Sequence, residues 1–320
     1  MSERLVFNPL AGPVARSPAT EPLAFHRSLP GYRPTPLVHA PRAAEALGVE
    51  RVLVKDESGR LGLPSFKILG ASWAIHRALA EQPATRLVCA TDGNHGRAVA
   101  RMARHFGLEA TVFVPADMIA ARREAIAGEG ARVEVVDGTY DEAVERAAAA
   151  GGLVIQDTAW PGYEAIPQWV IEGYGTIGAE IDVEPDAVAL QIGVGSFAAA
   201  MVRRFAGARI VGVEPLGAAC ALASIEAGEP VEVPGPHDSV MAGLNCGRVS
   251  PVAWPVISRG IEAFCTASDD RAREAVRLLG RDGIEAGESG AAGLAGLLAF
   301  RDELALDGTV LVVNTEGDTT

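Results

Sequence analysis

Short apolar runs and longer stretches of helical period take turns along most of this chain. R-V-L-V-K-D at Arg51, R-L-V-C-A at Arg86, A-T-V-F-V-P at Ala110, R-V-E-V-V at Arg132 and L-V-I-Q-D at Leu153 read as strands. So do A-V-A-L-Q-I at Ala187, R-I-V-G-V-E-P at Arg209 and T-V-L-V-V-N-T at Thr309. Between them the apolar spacing predicts helices. Ile68, Ala71, Ile75 and Leu79 share one face, and Val99, Met102, Ala103 and Phe106 share another, with Gly107 as a stop. Further helices are expected over 120–128, 141–150, 197–205, 218–227, 269–279 with Ser268 as N-cap, and 289–304. Such a rhythm calls for parallel sheets covered by helices on both faces, an α/β fold. Two stretches depart from it. The first thirty residues, rich in Pro and turn formers, read as a surface arm reaching toward a partner subunit. The aromatic-rich Trp160 to Tyr174 breaks the alternation, which places a domain change near its end: a smaller α/β domain over 58–178, and a larger one from 1–57 plus 179–320.

Composition narrows what these layers can do. The 320 residues are 48% hydrophobic but only 5% aromatic, so the core is built from Ala, Val, Leu and Ile. A net charge of −13 argues against nucleic acid or an anionic membrane surface as a partner. The four cysteines, Cys89, Cys220, Cys246 and Cys265, form no C-x-x-C pair, which argues against a disulfide framework or a metal site and for a reducing cytoplasm. The longest weakly polar run, Gly290 to Phe300, is too short to span a membrane and reads as a buried helix.

Candidate chemistry gathers around L-P-S-F-K-I-L-G-A at Leu63. Lys67 opens an apolar helix, and burial there is expected to lower its pKa and supply the free amine that a Schiff-base nucleophile needs. The bland alternative is a snorkelling lysine. Gly193, Val194, Gly195, Ser196 and Phe197 form a glycine-rich turn between strand and helix, whose N–H groups suit a phosphate. Dinucleotide binding is a competitor, because Glu214 lies about twenty residues on. Thr91-Asp92-Gly93-Asn94-His95 precedes a helix, where Asn94 could be a turn or cap residue and His95 a satisfied loop histidine. Asp157 ends a strand, where α/β sites collect functional groups, and Asn314-Thr315-Glu316-Gly317-Asp318 does the same. Lys55 has Asp56 and Glu57 beside it and reads as an ordinary ion-paired lysine.

Taken together, S-F-K-I-L-G-A, T-D-G-N-H-G and G-V-G-S-F resemble the pyridoxal-phosphate (PLP) enzymes of fold type II, the tryptophan-synthase-β type. Within that family the chain resembles the diaminopropionate ammonia-lyases through Y-R-P-T-P-L at Tyr32, K-D-E-S at Lys55, Q-D-T-A-W at Gln156, M-A-G-L-N-C-G at Met241, G-E-S-G-A-A-G at Gly287 and N-T-E-G-D-T at Asn314. These blocks run in the family's order over nearly the whole chain.

The resemblance implies two three-layer α/β domains with PLP in the cleft between them, a small amino-acid substrate and a homodimer. It makes Lys67 the Schiff-base residue and places Asn94 at the 3′-oxygen of the pyridoxal ring. The backbone of Thr91 to His95 would then meet the substrate carboxylate, Gly193 to Phe197 the cofactor phosphate, and Thr315 the pyridine nitrogen. Asp92 stands where the family's dehydratases carry a small hydroxyl residue. With Asp157 it favours a substrate that brings a second ammonium, and Asp92 becomes a candidate second base. The implied activity is α,β-elimination of 2,3-diaminopropionate to pyruvate and ammonia. The alternatives are a serine or threonine dehydratase, a β-lyase on another β-substituted amino acid, and a catalytically inactive PLP-binding partner protein.

Overall fold

The computed structural model describes every residue except Met1, Asp92, Asp117, Thr139 and 318–320, together with the side chains of Tyr140 and Asp141. The chain begins with β1 (Leu5–Phe7), α1 (Thr20–Ser28), β2 (Leu37–His39), α2 (Pro41–Leu47) and β3 (Arg51–Asp56). An alternating run follows: α3 (Lys67–Glu81), β4 (Arg86–Ala90), α4 (Asn94–Phe106), β5 (Glu109–Pro115), α5 (Ala120–Gly128), β6 (Arg132–Val136), α6 (Tyr140–Ala149), β7 (Leu153–Val154) and α7 (Ala165–Ala179). The last part holds β8 (Ala187–Gln191), α8 (Ser196–Arg204), β9 (Arg209–Pro215), α9 (Cys220–Ala227), α10 (Trp254–Gly260), β10 (Ala263–Ala267), α11 (Asp269–Arg281), α12 (Glu288–Ala299), α13 (Arg301–Leu304) and β11 (Thr309–Asn314).

Two sheets result. One has the order β1-β10-β9-β8-β11-β3-β2 and the other β6-β5-β4-β7. All pairings are parallel except those of the edge strands β1 and β2. Every residue of β8, β10 and β11 is buried, as two covered faces require. Helix α12 comes unusually close to its sheet. A Cβ on Gly296 would sit 2.5 Å from Val213 Cγ2, so a larger residue there would push the helix off β9.

Several expectations need correction. The N-terminal segment does wrap the chain's own surface, but it also adds a strand that the sequence did not mark. Its β1 pairs with β10, and Asn8 Nδ2 donates to Ser258 O (2.8 Å) and Ile261 O (2.6 Å). Helix α1 forms despite Pro22, because a first-turn proline gives up an N–H that has no intrahelical acceptor. His26 pins that helix by meeting Thr176 Oγ1 (2.7 Å) and donating to Leu69 O (3.0 Å); burial pushes its pKa down to about 3, so it stays neutral. The strand expected through Asp157 ends at Val154. Beyond it the Gln156 side chain replaces the ladder, accepting from Ala90 N and donating to Ala90 O, both at 3.1 Å. Helix α4 starts at Asn94, ahead of the first periodic residue Val99, and the last helix divides where Phe300 leaves helical torsions.

Lys55 is ion-paired, but not to its chain neighbours. Its Nζ reaches Glu180 Oε2 at 2.6 Å and Thr35 O at 2.8 Å. Arg60 joins Glu180 to Glu57 in the same buried cluster. The loop that delivers Lys67 is thereby tied to β3 and to the end of α7.

Candidate active site

Helix α3 starts immediately after a short bridge between Ser65 and Glu316, with Phe66 N donating to Thr315 O (3.2 Å) and Gly317 N to Pro64 O (3.0 Å). These bonds fix the first residue of the helix, Lys67, against the end of β11. Phe66 packs on Tyr174 and Phe197, with ring centroids 4.7 and 5.1 Å away, and supplies an apolar wall.

Lys67, Thr91, Gly93, Asn94, His95, Asp157, Gly193, Val194, Gly195, Ser196, Phe197 and Thr315 all line a single cleft of about 1250 Å³, counting its open mouth. Asp92 lies outside the described residues. The cleft also takes in Arg97, Arg122, Tyr174, Gln191 and Ser289, none of which the sequence marked for a role, and Glu316 of the segment Asn314 to Asp318. Gln191 closes strand β8, so a search of strand ends would have found it, and Glu316 lies two residues beyond the end of β11.

Lys67 Nζ donates to Asp157 Oδ2 at 2.7 Å. Burial alone would lower the lysine's pKa, as expected from the sequence, but the Asp157 carboxylate overrides it and holds the ammonium above its ordinary value. The expectation of a free amine is therefore overturned. Burial pulls the Asp157 carboxyl the other way from Lys67, and the ammonium again wins, keeping the acid ionised well below the usual carboxylate range. His95 is buried; its Nε2 donates to Ile155 O (2.8 Å), which leaves Nδ1 unprotonated, 4.0 Å from Asp157 Oδ2 and without a hydrogen bond. Burial keeps that ring neutral.

Two residues expected to touch ligands have local duties instead. Thr91 Oγ1 accepts from Gly93 N (3.0 Å) and Gly96 N (3.2 Å), closing the turn into α4. Ser196 Oγ donates to Asp157 O (3.0 Å), so only its backbone N–H remains for a ligand. Glu214, the acidic residue of the dinucleotide alternative, is fully buried away from the cleft, where it accepts from Ala221 N (2.7 Å) and Leu222 N (2.8 Å) at the start of α9. Buried there, it is out of reach of a ribose in the cleft.

A family model described as pyridoxal-phosphate dependent enzyme matches residues 28–316. Diaminopropionate ammonia-lyase of Escherichia coli strain K12 is 35% identical, over all of this chain and 93% of that protein. A crystal structure of the E. coli enzyme in complex with an aminoacrylate-PLP azomethine reaction intermediate superposes with a TM-score of 0.92 at 34% identity, covering 99% of this chain and 94% of that one. The biosynthetic L-threonine dehydratase of Mycobacterium leprae is more distant, 30% identical over 89% of this chain and 70% of its own length.

The residues present fit PLP. Gly195 has φ +93°, and a Cβ there would come within 3.1 Å of Ile257 Cδ1, so the turn before α8 keeps a backbone cradle that only glycine fits. Among the described residues no acceptor takes the N–H groups of Val194, Gly195, Ser196 and Phe197, which suits a phosphate at a helix N-terminus. Thr315 Oγ1 accepts from Gln191 Nε2 (2.8 Å), leaving the hydroxyl proton for a ring nitrogen. With the lysine, the phosphate cradle and the hydroxyl on one cleft, and the family match spanning 28–316, the chain belongs to the family of pyridoxal-phosphate dependent enzymes.

Proposed function

We propose that this chain catalyses the α,β-elimination of 2,3-diaminopropionate to pyruvate and two molecules of ammonia, with Lys67 holding PLP and acting as base. The observation that carries the reading is the half-buried Lys67–Asp157 pair on the cleft wall. An ionised Asp157 offers a substrate ammonium a full counter-charge, where a hydroxyl would gain one hydrogen bond. Full-length likeness to diaminopropionate ammonia-lyases, with a threonine dehydratase further off, supports the same choice.

When bound, PLP supplies an electron sink that stabilises a carbanion at Cα. The rest falls to side chains. The N–H groups of Val194 to Phe197 take the phosphate and Thr315 faces the pyridine nitrogen. Asn94 meets the ring oxygen, and the backbone from Thr91 to His95 receives the substrate carboxylate. Lys67 Nζ, once deprotonated, would accept the Cα proton, and the ionised Asp157, 2.7 Å away, orients it. Asp92 serves as a second base for the opposite enantiomer, on the sequence argument. In this reading 58–178, which carries β4 to β7, and 1–57 plus 179–320 are the two domains, and the enzyme works as a cytoplasmic homodimer in amino-acid breakdown. Among the described residues no helix is long and apolar enough to cross a membrane.

The test is to incubate PLP-loaded protein with D- and L-2,3-diaminopropionate, L-serine and L-threonine, and to measure the 2-oxo acid and ammonia released. Pyruvate with two ammonia per turnover from diaminopropionate, far above the yield from the hydroxy amino acids, is expected. Asp92→Asn in the same assay should slow one enantiomer more than the other. Faster turnover of serine or threonine would overturn the substrate assignment.

A further inference from the structure

We propose that Glu316 is a positioning residue that fixes the side-chain amide of Asn94 and thereby sets the tautomer of the bound cofactor; the inference rests on the cofactor placement above. Asn94 is the first residue of α4, and its Nδ2 donates to Glu316 Oε2 at 2.6 Å. The two positions are 222 residues apart, so the bond joins the start of α4 to the segment after β11. A carboxylate only accepts, so the atom facing it must be the amide NH₂ and not the amide oxygen.

Glu316 is well placed to hold that orientation. Its backbone is bridged to Ser65, and its carbonyl accepts from Gly287 N at 3.0 Å. Among the described residues no cation lies within ion-pair distance of its carboxylate, so the carboxylate is not already spent on a salt bridge. Ser289 is its other side-chain hydrogen-bond partner. With one Nδ2 hydrogen committed to Glu316, the second remains as a donor on the wall of the cleft that Thr315 also lines. A donor at the cofactor's ring oxygen stabilises that oxygen's anionic form, whereas a flipped amide would present a lone pair and disfavour it. Glu316 touches neither substrate nor cofactor in this scheme and acts only through Asn94.

The readout is the ratio of the visible to the near-ultraviolet absorbance band of the PLP-loaded protein, recorded without substrate, for Asn94→Ala, Glu316→Leu, Glu316→Gln and the double variant Asn94→Ala/Glu316→Leu. Glu316→Leu should lower the ratio by about threefold or more, as Asn94→Ala does. The double variant should go no lower than either single one, because the two residues act as one unit. Glu316→Gln, whose amide oxygen still accepts, should stay within about twofold of the wild type. Should Glu316→Leu fail to fold, Glu316→Asp keeps the charge but is too short to reach Asn94, and it should show the same fall. An unchanged ratio in the Glu316 variants beside a changed one in Asn94→Ala, or a double variant showing the product of both effects, would overturn the proposal. Because no amino acid is added, failure of the diaminopropionate assignment would leave this result untouched.

Discussion

A single neighbour reverses the titration of Lys67. Burial argues for a free amine and Asp157 for an ammonium, and at 2.7 Å inside the cleft the carboxylate wins. The pair's contribution to stability follows from the signs. Asp157 is depressed, so its share is present above the unfolded carboxyl value and lost as pH falls through the folded one. Lys67 is raised, so its share is present below the unfolded lysine value and lost as pH rises through the folded one. In the proposed role of Lys67, capture of the cofactor needs the amine deprotonated. Apoprotein mixed with PLP should therefore gain visible absorbance faster as pH rises from neutral. Asp157→Asn removes the counter-charge and leaves burial in control, so it should take up PLP faster at neutral pH and with a flatter pH dependence. A rate in Asp157→Asn with the wild-type pH profile would mean that another group controls the lysine.

At the scale of elements, Glu214 shows a strand end put to structural use. Its carboxylate caps α9 by accepting from Ala221 and Leu222, yet burial pushes its pKa up to about 7. A raised folded value makes its contribution greatest below the unfolded carboxyl range and progressively lost as pH rises through about 7. Glu214 should thus cost the fold roughly 2 kcal/mol between mildly acidic and mildly alkaline pH. Denaturant unfolding at those two pH values should show that difference in the wild type and lose most of it in Glu214→Gln; an unchanged difference would assign the slope to other groups. The sequence alone offered this residue as a ribose ligand. Residue count along the chain placed it correctly on a strand end but could not say which side of the sheet its side chain serves.

The whole molecule depends on the buried cluster of Lys55, Glu57, Arg60 and Glu180, which joins β3, the loop before α3 and the end of α7. Glu180 carries both cations, and although burial opposes it, the bonds from Arg60 and Lys55 hold its pKa down to about 2. Glu180→Ala would leave Arg60 with Glu57 but Lys55 with only the Thr35 carbonyl. The expected loss is about 3–5 kcal/mol in unfolding free energy, the usual cost of stranding a buried charge. Because the cluster anchors the loop to Lys67, PLP affinity should fall as well. A loss under about 1 kcal/mol would show that water reaches the cluster and screens it.

Much of this architecture was legible in the chain. The alternation of strand and helix periods is a local property, and it marked out both parallel sheets; fixed spacing within L-P-S-F-K, G-N-H-G and G-V-G-S-F likewise marked the cleft. What the sequence could not supply were relations between distant segments. Asn94 meets Glu316, Lys67 meets Asp157, and Lys55 turns from Asp56 and Glu57 to Glu180. Periodicity depends on near neighbours along the chain, whereas a charge responds to whatever packing brings within a few ångströms. The sequence therefore determined the elements and the type of chemistry, and only the tertiary structure decided which way the charged groups are shifted, which hydroxyls are already spent, and which carboxylate meets the Asn94 amide.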